Sequence, residues 1–476
     1  MVSKLFRFLA SAGLLGLVKG AQVVQDWTLS SQPIAPDGFT RSAALVNGQY
    51  PGPLLALNKF DSATINVNNQ LSDPTMRRST SIHWHGIFQH QNAQYVLSST
   101  YFTHSQACLE MMVLPSLLNV PLLRNDPEDP HLDLYDVDDE TTVISLSDWY
   151  HTTAFNLENA WFAGGPEPVP DSGLINGAGR FTGGPDVTLT RVNVTQGKRY
   201  RLRLVSLSAE GFFNVSIQNH RMTVIEADGI STEPYVVDFL SILPAQRYIN
   251  GTNTFAVLHY GGAPDAEPTS SQVFASGPVI FEEFKMAPLL NPGAPGGDGP
   301  ADQVFNFTFT TTAANGDVWT INGVQYQSPT VPTLLNILSN PDPTFGAHEN
   351  TFTLMPNATI EVAFIGGPGH AFHLHGHTFD VIQSASGGPL NFVNPPRRDT
   401  TASGGTTANP MRIRFRTDNP GPWFIHCHLD WHLEAGLAAV FAEDPAGIVS
   451  GPNSISPNQA WEQLCTVYNN LPDDEK

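Results

Sequence analysis

Three short histidine-rich segments, far apart along the chain, constrain the fold more than any other feature of the sequence. The most informative is His426-Cys427-His428. On a β-strand, side chains two positions apart share a face, so the two imidazoles point to one side and the thiol to the other. His83-Trp84-His85 and His373-Leu374-His375 repeat this alternation. The pattern predicts strands that carry paired histidines.

The composition supports an all-β chain. With 476 residues the protein is too long for one ordinary core, and two or three domains are expected. Apolar residues make up 41% of the chain and charged residues 14%, while 40 Gly and 38 Pro suit many short strands joined by turns. These values favour a β-sandwich or barrel architecture.

Runs of β-prone residues between turn signals fall into three sets, which predicts three β-sandwich units at residues 21–140, 141–302 and 303–476. A stretch rich in Pro and Gly, Ala287 to Asp302, is the clearest linker. Little helical periodicity lies outside Pro457 to Asn469. The predicted strands are Ser62–Val67, Thr141–Leu146, Lys198–Val205, Phe213–Ile217, Met222–Glu226, Thr359–Ile365, Phe379–Ile382, Met411–Thr417 and Leu437–Phe441.

The first twenty residues have the pattern of a secretory signal peptide. Lys4 and Arg7 precede an apolar stretch from Leu9 to Val18, and we expect the mature chain to begin near Ala21. No later apolar run is long enough to cross a bilayer, so we expect a secreted, extracellular product without a membrane anchor. Five glycosylation sequons agree with this route, at Asn193, Asn214, Asn250, Asn306 and Asn357.

The charge balance excludes some partners. The formal net charge of −21 disfavours nucleic acid and anionic membranes, because such an acidic surface repels phosphate. We expect neither as a partner.

The chain has only three cysteines, Cys108, Cys427 and Cys465, so at least one thiol is unpaired. Cys427 stands between two histidines, which favours metal ligation. Cys108 and Cys465 are then either disulfide partners or free thiols.

Cys427, His370 and His432 together predict a copper site. Two imidazoles and one thiolate in a trigonal arrangement favour copper used for electron transfer. Zinc is the main rival, but structural zinc prefers closed sets of four ligands with paired cysteines. Here histidines far outnumber cysteines. Where a weak axial methionine could bind, Leu437 cannot coordinate, and this should raise the reduction potential.

Isolated histidines and the tryptophans near the motifs have a plainer interpretation. Trp84, Trp423 and Trp431 are expected to pack around the site. Five lone histidines are expected to be ordinary surface or core residues: His131, His151, His220, His259 and His348.

Three motifs resemble those of the multicopper oxidases, and the similarity to secreted basidiomycete laccases covers most of the chain. They are Ser81-Ile82-His83-Trp84-His85-Gly86, the run from His370 to His377, and the run from His426 to Leu437. The resemblance implies three consecutive cupredoxin-like Greek-key β-sandwich domains, the first two of them truncated. It also implies one-electron oxidation of phenols or aromatic amines, coupled to reduction of dioxygen to water.

The resemblance further implies four copper ions with distinct ligands. Type 1 copper would take His370, Cys427 and His432, and type 2 copper would take His83 and His373. The type 3 pair would take His85, His375, His426 and His428. Cys427 would then pass electrons through its backbone to the histidines on either side.

Two carboxylates receive roles by the same resemblance. Asp228, in Glu226-Ala227-Asp228-Gly229, matches the carboxylate that accepts the phenol proton, although a turn aspartate before Gly229 would look the same. His432 would border the substrate pocket. Asp430 is the candidate acid for the reduction of dioxygen.

The chain departs from the family at its second copper motif, which is missing. Eight of the ten family histidine ligands are present, and residues 94–125 match nothing expected. Met112 to Pro121 can be encoded by nucleotides that, when translated in the reading frame one base earlier, give a family-like amino-acid sequence containing a cysteine. We therefore hypothesise a gene-model error here, which would leave Cys465 without its partner. A second break lies near Asn250, and Ala209 stands where many relatives have cysteine.

These observations leave more than one function open. The first is a monomeric laccase with an incomplete trinuclear cluster. The alternative is a type 1 copper-binding cupredoxin protein without oxidase turnover. A metal-ion oxidase is a near relative, and it would need several carboxylates near His432, which the sequence cannot place. The natural substrate, lignin or another phenol source, stays open.

Overall fold

The structure of the protein, a computed structural model, describes residues 20–80, 82–93, 122–245, 254–269, 277–311, 316–340, 342–367, 369–457, 459–463, 466 and 470. The predicted signal peptide, most of the unusual stretch 94–125, Asn250, Cys108 and Cys465 lie outside these ranges. Within them, strands far outnumber helices, which confirms the all-β prediction.

The N-terminal unit is a small sheet with a compact core. Strand β1 pairs with β2 in antiparallel and with β4 in parallel orientation, while β3 pairs with β5. Trp27 and Leu29 of β1 pack against Val46 and Leu55, and Trp84 of the first histidine motif packs on this cluster. The strands are β1 (Gln22–Ile34), β2 (Arg41–Val46), β3 (Leu55–Asn58), β4 (Ser62–Gln70) and β5 (Leu122–Asn125).

The second unit is divided into small sheets. Its largest has the order β10-β6-β7-β8, and three strand pairs, β11-β14, β12-β13 and β15-β9, complete it. The elements are β6 (Val143–Trp149), α1 (Ala154–Phe162), β7 (Ser172–Ile175), β8 (Ala178–Gly179), β9 (Arg191–Val194), β10 (Arg203–Ser206), β11 (Phe213–Val215), β12 (Met222–Ala227), β13 (Ile230–Val237), β14 (Leu240–Ile242) and β15 (Val257–Tyr260). The 3-10 helices Glu140–Thr142 and Glu283–Lys285 flank this unit.

The third unit begins with β16 (Gln303–Thr311), β17 (Trp319–Ile321), α2 (Thr333–Ser339), β18 (Thr351–Leu354), β19 (Thr359–Ile365), β20 (Ala371–Leu374), β21 (Phe379–Gln383), β22 (Arg397–Arg398), β23 (Thr400–Ala402) and β24 (Met411–Arg416). It continues with β25 (Gly421–Cys427), α3 (Asp430–Glu434), β26 (Ala438–Glu443), α4 (Pro445–Val449) and α5 (Gln459–Glu462). A six-stranded sheet, β17-β16-β19-β24-β21-β22, and a five-stranded sheet, β18-β26-β25-β20-β23, enclose the largest hydrophobic core.

Side chains from both sheets fill this core. Phe307 and Phe364 come from the six-stranded sheet, while Phe372, Trp423 and Phe441 come from the five-stranded sheet, and all five are almost completely buried. Burying such rings stabilises the fold by about 1.5–3 kcal/mol each. The third unit is therefore a rigid support for the strands that carry the second and third histidine motifs.

The strand predictions agree with the structure where alternation is strong. β19 spans Thr359–Ile365 as predicted, and β26 begins one residue after the predicted Leu437. The prediction that each histidine pair lies wholly on a strand is wrong in detail. His83 and His85 lie in an extended segment and a turn, and His375 and His428 follow the last residues of β20 and β25. At His375 and His428 the preceding strand has ended, and the chain turns toward the next strand or helix.

None of the helices in the described part of the chain is long and apolar enough to span a membrane.

Candidate metal centre

Pairing of β20 with β25 brings two of the histidine motifs together. In this antiparallel pair Phe372 lies opposite Cys427, and His373 lies opposite His426. Every residue of β20 and β25 is buried. Because alternate residues face opposite sides of a strand, Cys427 and His426 serve different sites.

Cys427 forms the first site with His370 and His432. Its sulfur lies 3.6 Å from His370 Nδ1 and 3.7 Å from His432 Nδ1, and the two nitrogens are 2.8 Å apart. All three side chains are buried. One nitrogen from each ring and one sulfur thus face a common centre, which is the donor set that suits copper.

The imidazole and the thiol of the metal-free site differ in protonation state. Burial and the neighbouring His432 lower the pKa of His370 to about 3, so its imidazole is neutral. Burial raises the pKa of the Cys427 thiol well above its usual value. A metal ion must therefore displace the thiol proton but no proton from His370.

Leu437 occupies a buried position beside the site. It is fully buried in the same core cluster as Cys427, and its carbonyl accepts a hydrogen bond of 3.0 Å from the Cys427 N–H. Its side chain has no donor atom for a metal, in agreement with the expectation that the site has no axial methionine.

The outer edge of His432 meets a carboxylate that the sequence did not identify. His432 is on α3, and its Nε2 lies 3.0 Å from Glu167 Oε1. The Nε2–H donates to this carboxylate, which leaves Nδ1 free to face Cys427. The ring of Trp319 packs on both His370 and His432, with centroid distances of 4.7 and 4.8 Å.

Six other histidines form one connected group of rings. His83 stacks on His375 at 4.1 Å, and His85 stacks on His373 at 3.8 Å. Nitrogens of His83, His85 and His373 lie within 4.8 Å of one another. The Nε2 atoms of His375 and His426 are 3.1 Å apart, and the rings of His85 and His428 are 5.4 Å apart. The structure thus brings together every histidine expected at the cluster.

Backbone hydrogen bonds fix the tautomers of two of these rings. His373 Nδ1 donates to the Asp399 carbonyl at 2.9 Å, and His426 Nδ1 donates to the Cys427 carbonyl at 2.9 Å. Each ring then turns an Nε2 lone pair into the group. The bond from His426 also joins the two sites, because its acceptor is the carbonyl of the thiol-bearing residue.

The remaining chemistry of the group fits a metal. Burial lowers the pKa of His426 to about 4 and lowers the pKa values of His373, His375 and His428 well below the usual value, so these rings are neutral. His85 Nδ1, His373 Nε2, His375 Nδ1 and His428 Nδ1 are buried without a hydrogen-bond partner. Converging neutral imidazoles with unused nitrogens suit copper.

Asp399 and Thr400 contact nitrogens of His85 and His373, and no sequence motif identified them. Asp399 Oδ1 lies 3.4 Å from His85 Nε2 and accepts a hydrogen bond of 3.0 Å from Thr400 Oγ1. Thr400 Oγ1 also lies 3.1 Å from His373 Nδ1. Asp399 is 3% exposed. Its position directly after Arg397-Arg398 was the only sequence signal, and that pattern is weak.

Asp430 lies next to the histidine group. Its Oδ1 is 3.9 Å from His428 Nδ1 and has no hydrogen-bond partner. Burial, with the charges of Asp148 and Glu434, raises the pKa of Asp430 well above its usual value. Asp430 also lines a cavity of about 1160 Å³ together with His83, His85 and His428. An acid beside an accessible cluster is thus in place.

Asp228 has a partner that was not foreseen. Its carboxylate is 2% exposed, and its Oδ2 accepts a hydrogen bond of 3.0 Å from Arg398 Nε. The carboxylate found in contact with His432 is that of Glu167.

Glu210 is a second carboxylate near the Cys427 site. Burial raises its pKa well above the usual value, and the charges of Glu167, Asp148 and Asp430 add to this effect. Its Oε2 is buried without a hydrogen-bond partner. The sequence signal was its place directly after Ala209, where the chain departs from its relatives.

Comparison with known proteins places the chain in a family. Three multicopper oxidase family models match residues 28–100, 140–263 and 310–447. The chain is 42% identical to Laccase-2 of Agaricus bisporus, covering 93% of this chain and 94% of the relative. It is also 42% identical to Laccase-4 of Trametes villosa, covering 94% of each.

Solved structures share the fold. The laccase from Botrytis aclada superposes with a TM-score of 0.76 and 26% identity, covering 95% of this chain and 92% of that one. A multicopper oxidase that functions in iron import has the same TM-score at 24% identity, covering 94% and 95%. Copper is the cofactor that these relationships imply. With its Cys427 site, its histidine group and these matches, the chain belongs to the laccases of the multicopper oxidase family.

Proposed function

We propose that this laccase oxidises phenols or aromatic amines by one electron at the edge of His432. The observation that carries the proposal is the geometry of His370, Cys427 and His432, whose ligand atoms lie 2.8 to 3.7 Å apart in a buried site. The metal would be held by these three residues, and by His83, His85, His373, His375, His426 and His428 at the cluster. Bound copper supplies the electron acceptor and the centre at which dioxygen is reduced.

The residues around His432 handle the substrate proton. Glu167 accepts the Nε2–H of His432 and keeps the ring edge in place. Glu210 has a buried carboxylate oxygen without a hydrogen-bond partner, and the charge of Glu167 helps to raise the pKa of Glu210. We therefore assign proton acceptance from the phenol to Glu167, in place of Asp228.

The covalent path from the substrate site to the cluster is short. Cys427 is followed directly by His428 and preceded by His426, and the Cys427 carbonyl accepts the hydrogen bond from His426 Nδ1. With copper bound, electrons would pass from the Cys427 site to the histidine cluster through this backbone. Asp430, with its raised pKa, is the proton donor at the far end.

The anaerobic reaction tests the substrate site separately from oxygen chemistry. The copper-loaded chain should show a blue absorption band, and an excess of phenol should bleach it without oxygen. The Cys427→Ser variant is the matched control and should show no such band. A chain that binds copper without the blue band would contradict the assigned ligands.

Oxygen reduction by the chain as written is proposed to be impaired. Two of the family histidine ligands are missing, and loss of ligands with their supporting contacts weakens a metal site. The alternative, a type 1 copper-binding cupredoxin protein without turnover, describes the same polypeptide if the cluster never fills. Inserting the missing family segment distinguishes the two proposals, because only a laccase would gain oxygen uptake.

Oxidation of a divalent metal ion such as Fe²⁺ is a second candidate function. The specific observation is the Glu167 carboxylate 3.0 Å from His432, with the buried Glu210 close enough for its pKa to be raised by the charge of Glu167, since carboxylates are the oxygen donors that hard cations prefer. Fe²⁺ would lose one electron to the same site. Bleaching of the blue band by Fe²⁺ that is lost in Glu167→Gln/Glu210→Gln, while bleaching by an uncharged donor that releases no proton on oxidation persists, would support it. Equal loss for both donors would contradict it.

We also propose that the protein is secreted as a glycosylated monomer. Four of the sequon asparagines are described, and all are exposed: Asn193, Asn214, Asn306 and Asn357. Expression in a fungal host should release a protein that begins near Ala21 and loses mass on treatment with a glycosidase. Retention inside the cell would contradict the proposal.

A further inference from the structure

We propose that Asp228 is a positioning residue for the histidine cluster and acts on it through Arg398. The inference rests on the copper ligands proposed above. It concerns the contact between the second unit, which holds Asp228, and the third unit, which holds Arg398 and most of the cluster.

Arg398 is clamped between two carboxylates of the second unit. Its Nε donates to Asp228 Oδ2 at 3.0 Å, and its Nη1 donates to Glu283 Oε1 at 2.8 Å. Arg398 is 2% exposed. Burial alone would lower the pKa of this guanidinium, but the two carboxylates more than offset burial and raise it. Arg398 is therefore charged and held in one orientation.

Glu283 extends the clamp along the same segment. Its Oε1 also accepts a hydrogen bond of 2.9 Å from Thr401 Oγ1, and its Oε2 accepts one of 2.6 Å from Ser384 Oγ. The second unit thus holds the segment 398–401 at both ends, through Arg398 and Thr401.

The two residues between these anchors touch the cluster. The Asp399 carbonyl accepts the hydrogen bond from His373 Nδ1, and the Asp399 carboxylate lies 3.4 Å from His85 Nε2. Thr400 Oγ1 lies 3.1 Å from His373 Nδ1. Displacement of the segment would therefore turn both imidazoles, because their outer nitrogens are bonded to it.

Asp228 is itself firmly placed. It sits in the tight turn between β12 and β13 with φ of +47°, followed by Gly229 with φ of +77°. Residues with positive φ in a two-residue turn of this kind fix the direction of the hairpin. The carboxylate is thus presented to Arg398 by a short, defined hairpin of the second unit.

The neighbouring Glu226 offers a matched control. It lies on β12, the strand that leads into the turn holding Asp228, and its Oε2 accepts a hydrogen bond of 2.6 Å from Arg201 Nη2. It is therefore a salt-bridged carboxylate of the same hairpin without a bond to Arg398.

Titration of the full chain with Cu²⁺ tests the proposal. The blue band reports the Cys427 site, and electron paramagnetic resonance reports added Cu²⁺ bound by the histidine group. Asp228→Ala should weaken Cu²⁺ binding at the histidine group about tenfold and leave the Cys427 site unchanged. Asp228→Asn, which keeps an acceptor for Arg398 Nε–H, should show a smaller loss. Glu226→Gln should show none.

Four outcomes would overturn the proposal. Unchanged affinity at the histidine group in Asp228→Ala would show that the clamp is not needed. Equal loss at both sites, with lower thermal stability, would show a general structural role. Slower anaerobic bleaching of the blue band by phenol, without loss of Cu²⁺ at the cluster, would show that Asp228 acts on the substrate instead. Absence of a second Cu²⁺ signal in the unaltered chain would remove the ligand set and this proposal with it.

Discussion

His432 Nε2 and Glu167 Oε1 lie 3.0 Å apart at the outer edge of the Cys427 site. The two residues come from different units of the chain, and Glu167 is one third exposed while His432 is nearly buried. The imidazole is oriented by this carboxylate in the way that metal-bound histidines are commonly oriented, with one nitrogen toward the metal and the other donating a proton outward. The outer edge of the site thus carries a carboxylate.

Removal of Glu167 should loosen His432. We expect Glu167→Ala to weaken copper binding at the Cys427 site by about tenfold, since a histidine ligand loses its outer hydrogen bond. Glu167→Gln retains an acceptor and should lose less. A competition titration followed by the blue band measures both. Identical affinities in Glu167→Ala and the unaltered chain would contradict this role.

Glu167→Gln should also raise the reduction potential of the site, because a negative charge that stabilises the oxidised metal is removed. A potentiometric titration of the blue band measures the shift. A lower potential in this variant would be the opposite of what the geometry implies.

Leu437→Met should lower the reduction potential, since a thioether at this buried position adds a weak axial ligand. A drop of about 60 mV would reduce the equilibrium constant for one-electron oxidation of a phenol about tenfold. Leu437→Ile serves as the control, because it adds no donor atom. An equal shift in both variants would assign the effect to packing.

Copper binding at the Cys427 site should depend steeply on pH. The pKa of Cys427 is raised by burial, so its thiol is protonated in the metal-free protein, whereas the pKa of His370 is lowered to about 3 and its ring is already neutral. Each copper ion must therefore release the thiol proton, and affinity should rise about tenfold per pH unit between pH 5.5 and 7.5. Proton release measured in weakly buffered solution checks this. Binding without proton release would contradict it.

The stability of the metal-free protein should also depend on pH through the lowered pKa of His370. Its pKa is about 3 in the folded state and near 6.5 when unfolded. The unfolded state therefore binds the extra proton, so this contribution to stability is complete above pH 6.5 and is lost as the pH falls toward 3. Relative to His370→Gln, the unaltered chain should lose about 1.4 kcal/mol of unfolding free energy per pH unit between pH 6 and 4. Parallel pH profiles in denaturant titrations would contradict the lowered pKa.

Local sequence patterns allowed some strands and one metal site to be predicted from the sequence. β19 matched its predicted bounds because five of its seven residues are β-branched or aromatic and the segment lies between turn signals. The opposite directions of His426 and Cys427 follow from strand geometry. The site of Cys427, His370 and His432 was also foreseeable, since its residues stand in dense motifs.

Residues whose roles depend on contacts between units could not be predicted from the sequence. Glu167, Glu210 and Asp399 carry no motif. Glu167 meets His432, and the Asp399 carboxylate meets His85, only after separate units have packed together. The same limit applies to Asp228, whose partner Arg398 is 170 positions away. The sequence of each segment defines its own strand or turn, but pairing across units depends on the whole fold.

The central claim is that the Cys427 site is complete while the histidine cluster is not. The most direct measurement compares bound copper and oxygen uptake with a phenol for the chain as written and for the same chain with the missing family segment inserted. After loosely bound metal is removed, we expect one copper, a blue band and no oxygen uptake for the first, and four coppers with uptake for the second. Four coppers and full uptake in the chain as written would contradict the account.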